Sequence, residues 1–174
     1  MTSATRTDAS AADILRALLD AGMPSVDSAR MVAAQSALET AGWNGGMWNY
    51  NLGNITTTSS SYVTEPGNSL HFKTYPSLWA GAIDLVNYLN AHGVLGYAIQ
   101  GNLPGYVQRL QAIGYAGNSN YASYQAGMQA WLAKLASVVP SPPWRLLGFT
   151  AGLTGLAIAG WHYRETLRKF VRAA

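Results

Sequence analysis

The chain has 174 residues, which is one domain with short extensions, and 49% of them are hydrophobic, enough for a substantial core. It has no cysteine and its three histidines are widely separated, which excludes disulfides and thiolate metal sites and gives no reason to expect a metal or another cofactor. The positive charge belongs to residues 141–174, where five Lys or Arg residues accompany one Glu, and this favours a membrane surface over specific nucleic acid binding.

Two helices are predicted before residue 43. Residues 12–21 form the first, which Gly22 terminates. Residues 26–41 form the second, because its apolar residues recur at steps of three and four, and Gly42 follows as a C-terminal stop.

The pattern changes from helical to strand-like after residue 55. Residues 56–64 are rich in Thr, Ser, Tyr and Val, which favour strands, and residues 70–75 can return as a second strand. Between them, Glu65 is followed by Pro66 and Gly67, the residues that suit the central positions of a type II turn. We therefore predict a small β-hairpin.

Three further helices are predicted downstream. The first begins after the N-cap residue Ser77 and ends at Gly93, and the second occupies residues 104–113 with Pro104 at its start. The third starts at residue 118 or 119 and continues to residue 139. Two helices, a hairpin and three helices predict an α+β fold that is mainly α, in residues 1–139.

The C-terminal region reads as a membrane anchor. Residues 140–143 form a proline-rich linker, and residues 144–163 are about 20 residues long, the length that spans a bilayer as a helix. Aromatic residues flank this segment and the basic tail 164–174 follows it, as expected for a single transmembrane helix. The alternative is a core helix of the same domain. Gly148 and Gly152 have the spacing of a helix–helix contact, which would support self-association or a partner helix.

One carboxylate has an unusual position. Glu39 falls in the last turn of the second predicted helix, where the negative end of the helix dipole disfavours its charge, and Trp43 and Trp48 follow closely. Apolar surroundings and the helix end both raise the pKa of a carboxyl group, which is how a glycosidase keeps an acid protonated near neutral pH. The alternative is an ordinary solvated side chain.

Four segments in order resemble a known family. They are AAQSALETAGW at 33–43 with NLGNI at 51–55, HFKTYPS at 71–77, AID at 82–84 leading to YL at 88–89, and GYA at 114–116 with NYA at 120–122. These segments resemble the glucosaminidase family (glycoside hydrolase family 73), within the lysozyme and lytic transglycosylase superfamily. The resemblance covers roughly residues 30–135 and implies a lysozyme-like helical domain. The chain departs from the family in its shorter hairpin and in lacking the acidic residue between GYA and NYA.

The resemblance also implies roles for three residues. Glu39 corresponds to the general acid, Glu65 to the second carboxylate in the hairpin, and Tyr121 to a tyrosine that lines the cleft near the acid. If Glu65 lies far from Glu39, a double displacement is disfavoured. An inverting attack by water then remains, or an attack by the substrate's own acetamido or 6-hydroxyl group, which would make the protein a lytic transglycosylase.

Other residues are candidates for substrate contact on chemical grounds. Trp43 and Tyr115 offer aromatic faces on which sugar rings can stack, although large aromatic residues also build cores. Asn54 can hydrogen-bond an acetamido group or cap the turn that closes its segment.

The resulting prediction is an enzyme that cleaves the glycan backbone of bacterial peptidoglycan between N-acetylglucosamine and N-acetylmuramic acid. A non-catalytic peptidoglycan-binding module and a membrane-permeabilising protein of holin type are the alternatives. The first ten residues are polar and unlike a signal peptide, and residues 144–163 predict a C-terminal anchor. These features favour a phage particle with an internal membrane, or the bacterial envelope, as the location.

Overall fold

The computed structural model describes residues 4–44, 46–59, 62–64, 70–115 and 120–143. The chain divides into two units, Met1–Ser141 and Pro142–Ala174. Within the described residues there are six α-helices, all in the first unit: α1 Ala11–Asp20, α2 Val26–Glu39, α3 Leu78–Ala91, α4 Leu95–Ile99, α5 Leu103–Ala112 and α6 Tyr121–Leu135. The prediction of a mainly helical fold is confirmed.

Local sequence chemistry sets where these helices begin. Ser25 and Ser28 form a reciprocal capping box at the start of α2, and the side chain of Ser77 accepts a hydrogen bond from the third residue of α3. Asn120 caps α6 in the same way. At the other end of α2, the chain makes a short 3₁₀ turn at Ala41–Trp43, where Gly42 adopts a φ of 79° that glycine accepts without strain.

Helix α2 is the centre of the core. It contacts α1, α4 and α6, and nine of its fourteen residues are buried. Most of these are Ala or Ser, whose small side chains let neighbouring helices approach closely. At Gly127 of α6, an added Cβ would come within 2.9 Å of the Leu38 side chain, so α6 packs tightly against the end of α2. This contact places α6 beside Glu39, the last residue of α2.

The predicted β-hairpin is wrong as a pair of regular strands. Among the described residues, Phe72 forms isolated antiparallel bridges with both Thr56 and Val63, and no ladder extends from them. Backbone hydrogen bonds pair the segments around these bridges, and side chains add to them. Asn51 is buried and bonds the backbone of Ile55 and of Lys73, which ties its loop to the 71–75 segment.

The 71–75 segment is fastened to helix α3 by one carboxylate. Asp84 accepts hydrogen bonds from the Lys73 ammonium at 2.9 Å and from the Tyr75 hydroxyl at 2.7 Å. Gly81, one turn before Asp84, packs directly against the backbone of Tyr50. Loop 46–55 and segment 71–75 are thus both held against α3, and together they supply one wall of the cleft described below.

Two helix predictions need correction. Helix α4 was not predicted, because its five residues are too few to show a periodic pattern. Helix α6 ends at Leu135 rather than at residue 139. The Arg30 guanidinium donates to the carbonyls of Leu135 and Val138, so a side chain of α2 satisfies the end of α6.

The predicted C-terminal features, 144–163, Gly148, Gly152 and the tail 164–174, lie outside the described residues. In the part of the chain that is described, no helix combines the length and the apolar character needed to cross a bilayer.

Candidate functional site

A cleft of about 490 Å³ opens beside the C-terminal end of α2. Its lining combines one carboxyl group with polar and apolar side chains and exposed backbone. The described residues that line it are Glu39, Gly53, Asn54, Ile55, Thr56, Leu70, Phe72, Tyr88, Ile113, Gly114 and Tyr115. Among these residues, Glu39 is the only one with a carboxyl group. It is therefore the one carboxylic acid in this described lining that can donate a proton to a ligand in the cleft.

The environment of Glu39 favours its protonated form. Burial raises the pKa of its carboxyl group above the ordinary value of 4.5, because a charge in this position loses contact with water. The Tyr124 hydroxyl donates a hydrogen bond to Oε1 at 2.7 Å, and this offsets part of the effect of burial. A carboxyl group with a raised pKa in a cleft has the properties of a general acid.

Asn54 joins the cleft wall to the end of the helix that carries Glu39. Its side-chain amide donates to the backbone carbonyl of Glu39 at 2.6 Å, which caps one of the carbonyls that a helix end leaves unpaired. The backbone of Asn54 has a φ of 48°, a left-handed conformation that asparagine tolerates better than most residues. This carbonyl belongs to the end of α2 and not to the turn at residues 51–55 that the sequence suggested as the alternative to substrate contact.

Tyr115 forms another part of the wall. Its hydroxyl donates to the backbone carbonyl of Gly53, and the ring lies 5.6 Å from that of Tyr88, centroid to centroid. Burial raises the pKa of Tyr115 well above its usual value, and the nearby charge of Glu39 adds to the rise. A Cβ on Gly53 would come within 2.6 Å of the Tyr115 oxygen, so this close contact requires glycine.

The sequence-predicted site residues separate into two groups. Glu39, Asn54 and Tyr115 lie together in the cleft. Trp43 does not: its side chain is 2% exposed, its indole N–H donates to Ser36, and it belongs to the core, so it presents no face to a sugar. Tyr121, the first residue of α6, donates its hydroxyl to the Pro104 carbonyl at 3.2 Å and is not among the described lining residues.

Glu65 lies outside the described residues, so its role and its distance from Glu39 remain predictions. The tyrosine that contacts the acid is Tyr124, which we did not single out in the sequence. Its place among the apolar residues of α6 was a signal, because a buried tyrosine hydroxyl needs a partner, but the sequence does not show which element supplies that partner.

The raised pKa of Glu39 predicts a pH-dependent stability difference. The folded protein retains a proton that the unfolded chain releases above about pH 4.5, so the free energy of unfolding falls as the pH rises from there to the folded-state pKa. Glutamine has no such proton. We expect Glu39→Gln to gain stability relative to the wild type between about pH 4 and about pH 7 in urea unfolding. An identical difference at both pH values would contradict the raised pKa.

Comparisons with known proteins give a distant likeness in shape. No family model matches the chain, and no curated protein does. Among solved structures, the chain is similar to the glycoside hydrolase domain of FlgJ from Salmonella typhimurium, at 21% identity and a TM-score of 0.47, over 71% of this chain and 83% of that one. A C-terminally truncated form of that domain gives 21% identity and a TM-score of 0.45, over 74% and 95%. At this distance the likeness assigns no residue roles, and the chemistry of the site rests on its own residues.

Proposed function

We propose that this protein cleaves the glycan strands of bacterial peptidoglycan and that Glu39 is its general acid. The observation that carries the proposal is a partly buried carboxyl group with a raised pKa in the wall of an open cleft. A glycosidic oxygen leaves readily only when it is protonated as its bond breaks, and a carboxyl group with a raised pKa retains the necessary proton to higher pH than an ordinary one. The four sequence segments that resemble the glucosaminidase family support the choice of substrate.

The cleft has a surface suited to sugars. Leu70, which is 53% exposed, and Ile113 are apolar, as the C–H faces of a sugar ring require, while Thr56 offers a hydroxyl for hydrogen bonding. A second hollow, lined by Thr56, Thr57, Thr58, Leu70 and His71, shares Thr56 and Leu70 with the first. Two adjoining hollows suit a polymer better than a single small sugar.

In the proposed reaction, the Glu39 proton passes to the glycosidic oxygen while the bond from that oxygen to the anomeric carbon breaks. The anomeric carbon then takes a new oxygen from one of two sources. Water gives hydrolysis, with Glu65 as the predicted base that takes its proton. The 6-hydroxyl group of the muramic acid residue gives an anhydro product, and its proton returns to the Glu39 carboxylate. The route to the anhydro product, which is lytic transglycosylation, requires only one carboxyl group. It is the alternative activity, because Glu39 is the only carboxylate among the described lining residues.

Mass spectrometry of digested peptidoglycan tests this proposal directly. Reducing N-acetylglucosamine ends would identify a glucosaminidase, reducing muramic ends a muramidase, and anhydro-muramic ends a lytic transglycosylase. The full-length protein is incubated with purified cell walls, and Glu39→Gln serves as the matched control. If the digest contains no new glycan ends while the protein sediments with cell walls, the non-catalytic binding module replaces the proposal.

The proposed attachment to a membrane rests on the C-terminal sequence. We propose that residues 144–163 tether the protein to a membrane, in a phage particle or in the bacterial envelope, because this segment has bilayer length, carries no charge from residue 146 to residue 160 and has aromatic residues at both ends. Leu156→Arg should weaken membrane association in flotation assays, since a cation at mid-bilayer costs at least about 2.5 kcal/mol. Leu156→Phe is the control. If the arginine variant and the wild type float equally with membranes, residues 144–163 are not a membrane anchor.

A further inference from the structure

We propose that Tyr124 is the positioning residue for proton transfer from Glu39: its hydroxyl fixes Oε1 as the accepting oxygen, so that Oε2 carries and releases the proton. This inference rests on the proposed function, because it assigns a role within the same reaction. It concerns a residue outside the segments that resemble the glucosaminidase family, since the matching tyrosine of the NYA segment is Tyr121.

The geometry that supports the assignment comes from helix packing. Tyr124 is 5% exposed, and its hydroxyl lies 2.7 Å from Oε1 of Glu39, a contact between residues 85 positions apart. Gly127 is one turn further along α6 and allows α6 to pack closely on Leu38, the neighbour of Glu39. The Tyr124 ring is therefore held in place by the core, and its hydroxyl cannot move away from the acid without disturbing that packing.

This hydrogen bond becomes stronger during the reaction. In the protonated acid, Tyr124 donates to a neutral carbonyl oxygen, whereas after the Oε2 proton has moved to the glycosidic oxygen it donates to a carboxylate. Hydrogen bonds to a charged partner are roughly twice as strong as neutral ones. An interaction that is stronger after proton transfer than before it lowers the barrier to that transfer. Tyr124 keeps its own proton and only donates the bond.

The surrounding groups keep Tyr124 a neutral donor. Its pKa is raised by burial and further by the adjacent charge of Glu39. The other titratable groups that act on this pair are Tyr115, after α5, and Tyr106, on α5. Burial raises the pKa of each, and each donates elsewhere, Tyr115 to Gly53 and Tyr106 to Gln35. Tyr124 is the donor to the Glu39 carboxyl among the described residues.

Kinetics of Tyr124→Phe test the assignment. The change removes one oxygen and preserves the ring, so we expect the fold to persist, kcat to fall by about 10- to 100-fold and KM to change little. The alkaline limb of the pH–rate profile should move to higher pH, because the lost hydrogen bond favoured the ionised form of Glu39. Tyr97→Phe, the same change on α4 outside the lining residues, should alter neither kcat nor the limb.

Two further measurements keep the test decisive. If Tyr124→Phe does not fold, 3-fluorotyrosine can be placed at position 124 instead. It nearly retains the volume of tyrosine and has a hydroxyl group that is a stronger hydrogen-bond donor. The alkaline limb of the pH–rate profile should then move to lower pH. Carbon-13 NMR titration of the Glu39 carboxyl measures the same changes in its pKa and does not require the protein to be active. This test therefore remains valid if the proposed function is wrong. A wild-type kcat and pH profile in folded Tyr124→Phe, or a profile that responds to Tyr121→Phe instead, would overturn the assignment.

Discussion

Replacing Glu39 by Gln is expected to reduce glycan cleavage by about 10²- to 10⁴-fold, the range that general acid catalysis contributes. The substitution keeps the size of the side chain and its ability to accept the Tyr124 hydrogen bond, but it removes the proton that the glycosidic oxygen needs. The measurement is the release of new glycan ends from purified peptidoglycan, with circular dichroism to confirm the helical fold.

Asp27→Asn is the matched control for this experiment. It makes the same chemical change on the same helix, at a carboxylate whose side chain is 89% exposed and pairs with Arg30. We expect it to retain wild-type cleavage, since exposed ion pairs contribute little and the residue is not among those that line the cleft. A Glu39→Gln protein that folds and keeps more than about a tenth of the wild-type rate would show that another group is the acid.

The second large effect is expected at Gly81, where Ala should lower the free energy of unfolding by about 2–4 kcal/mol. A Cβ at this position would lie 2.0 Å from the carbonyl oxygen of Tyr50, and backbone cannot rotate away as a side chain can. Helix α3 would have to shift from the loop that carries Asn54, so activity should fall with stability. Urea unfolding of the variant and the wild type measures the loss.

Gly96→Ala provides the comparison for Gly81→Ala. Gly96 is also helical, on α4, and an added Cβ there meets nothing within 4 Å. Alanine has the higher helix propensity by about 1 kcal/mol, so this variant should be as stable as the wild type or more stable. Equal stability of the two variants would mean that α3 and the Tyr50 loop are not in close contact.

The sequence contained most of the information on helices and on the acid. Capping by Ser77 acts over three residues, and apolar periodicity acts over a few turns, so both are readable without knowing the fold. The position of Glu39 at the end of an apolar helix is likewise local. These features predicted five of the six described helices to within a few residues at each boundary, and they singled out a carboxyl group that the structure places in a cleft.

Only the tertiary structure decided the neighbours of that acid. Trp43 packs against the partly buried Trp131 and is itself 2% exposed, so an aromatic residue that suited a sugar platform is buried. Tyr121 and Tyr124 are three residues apart on one helix, yet one bonds the Pro104 carbonyl and the other bonds Glu39. The physical reason is that a hydroxyl takes its partner from whichever element packs across from it. That partner is set by contacts between residues far apart in the chain, which no local pattern records.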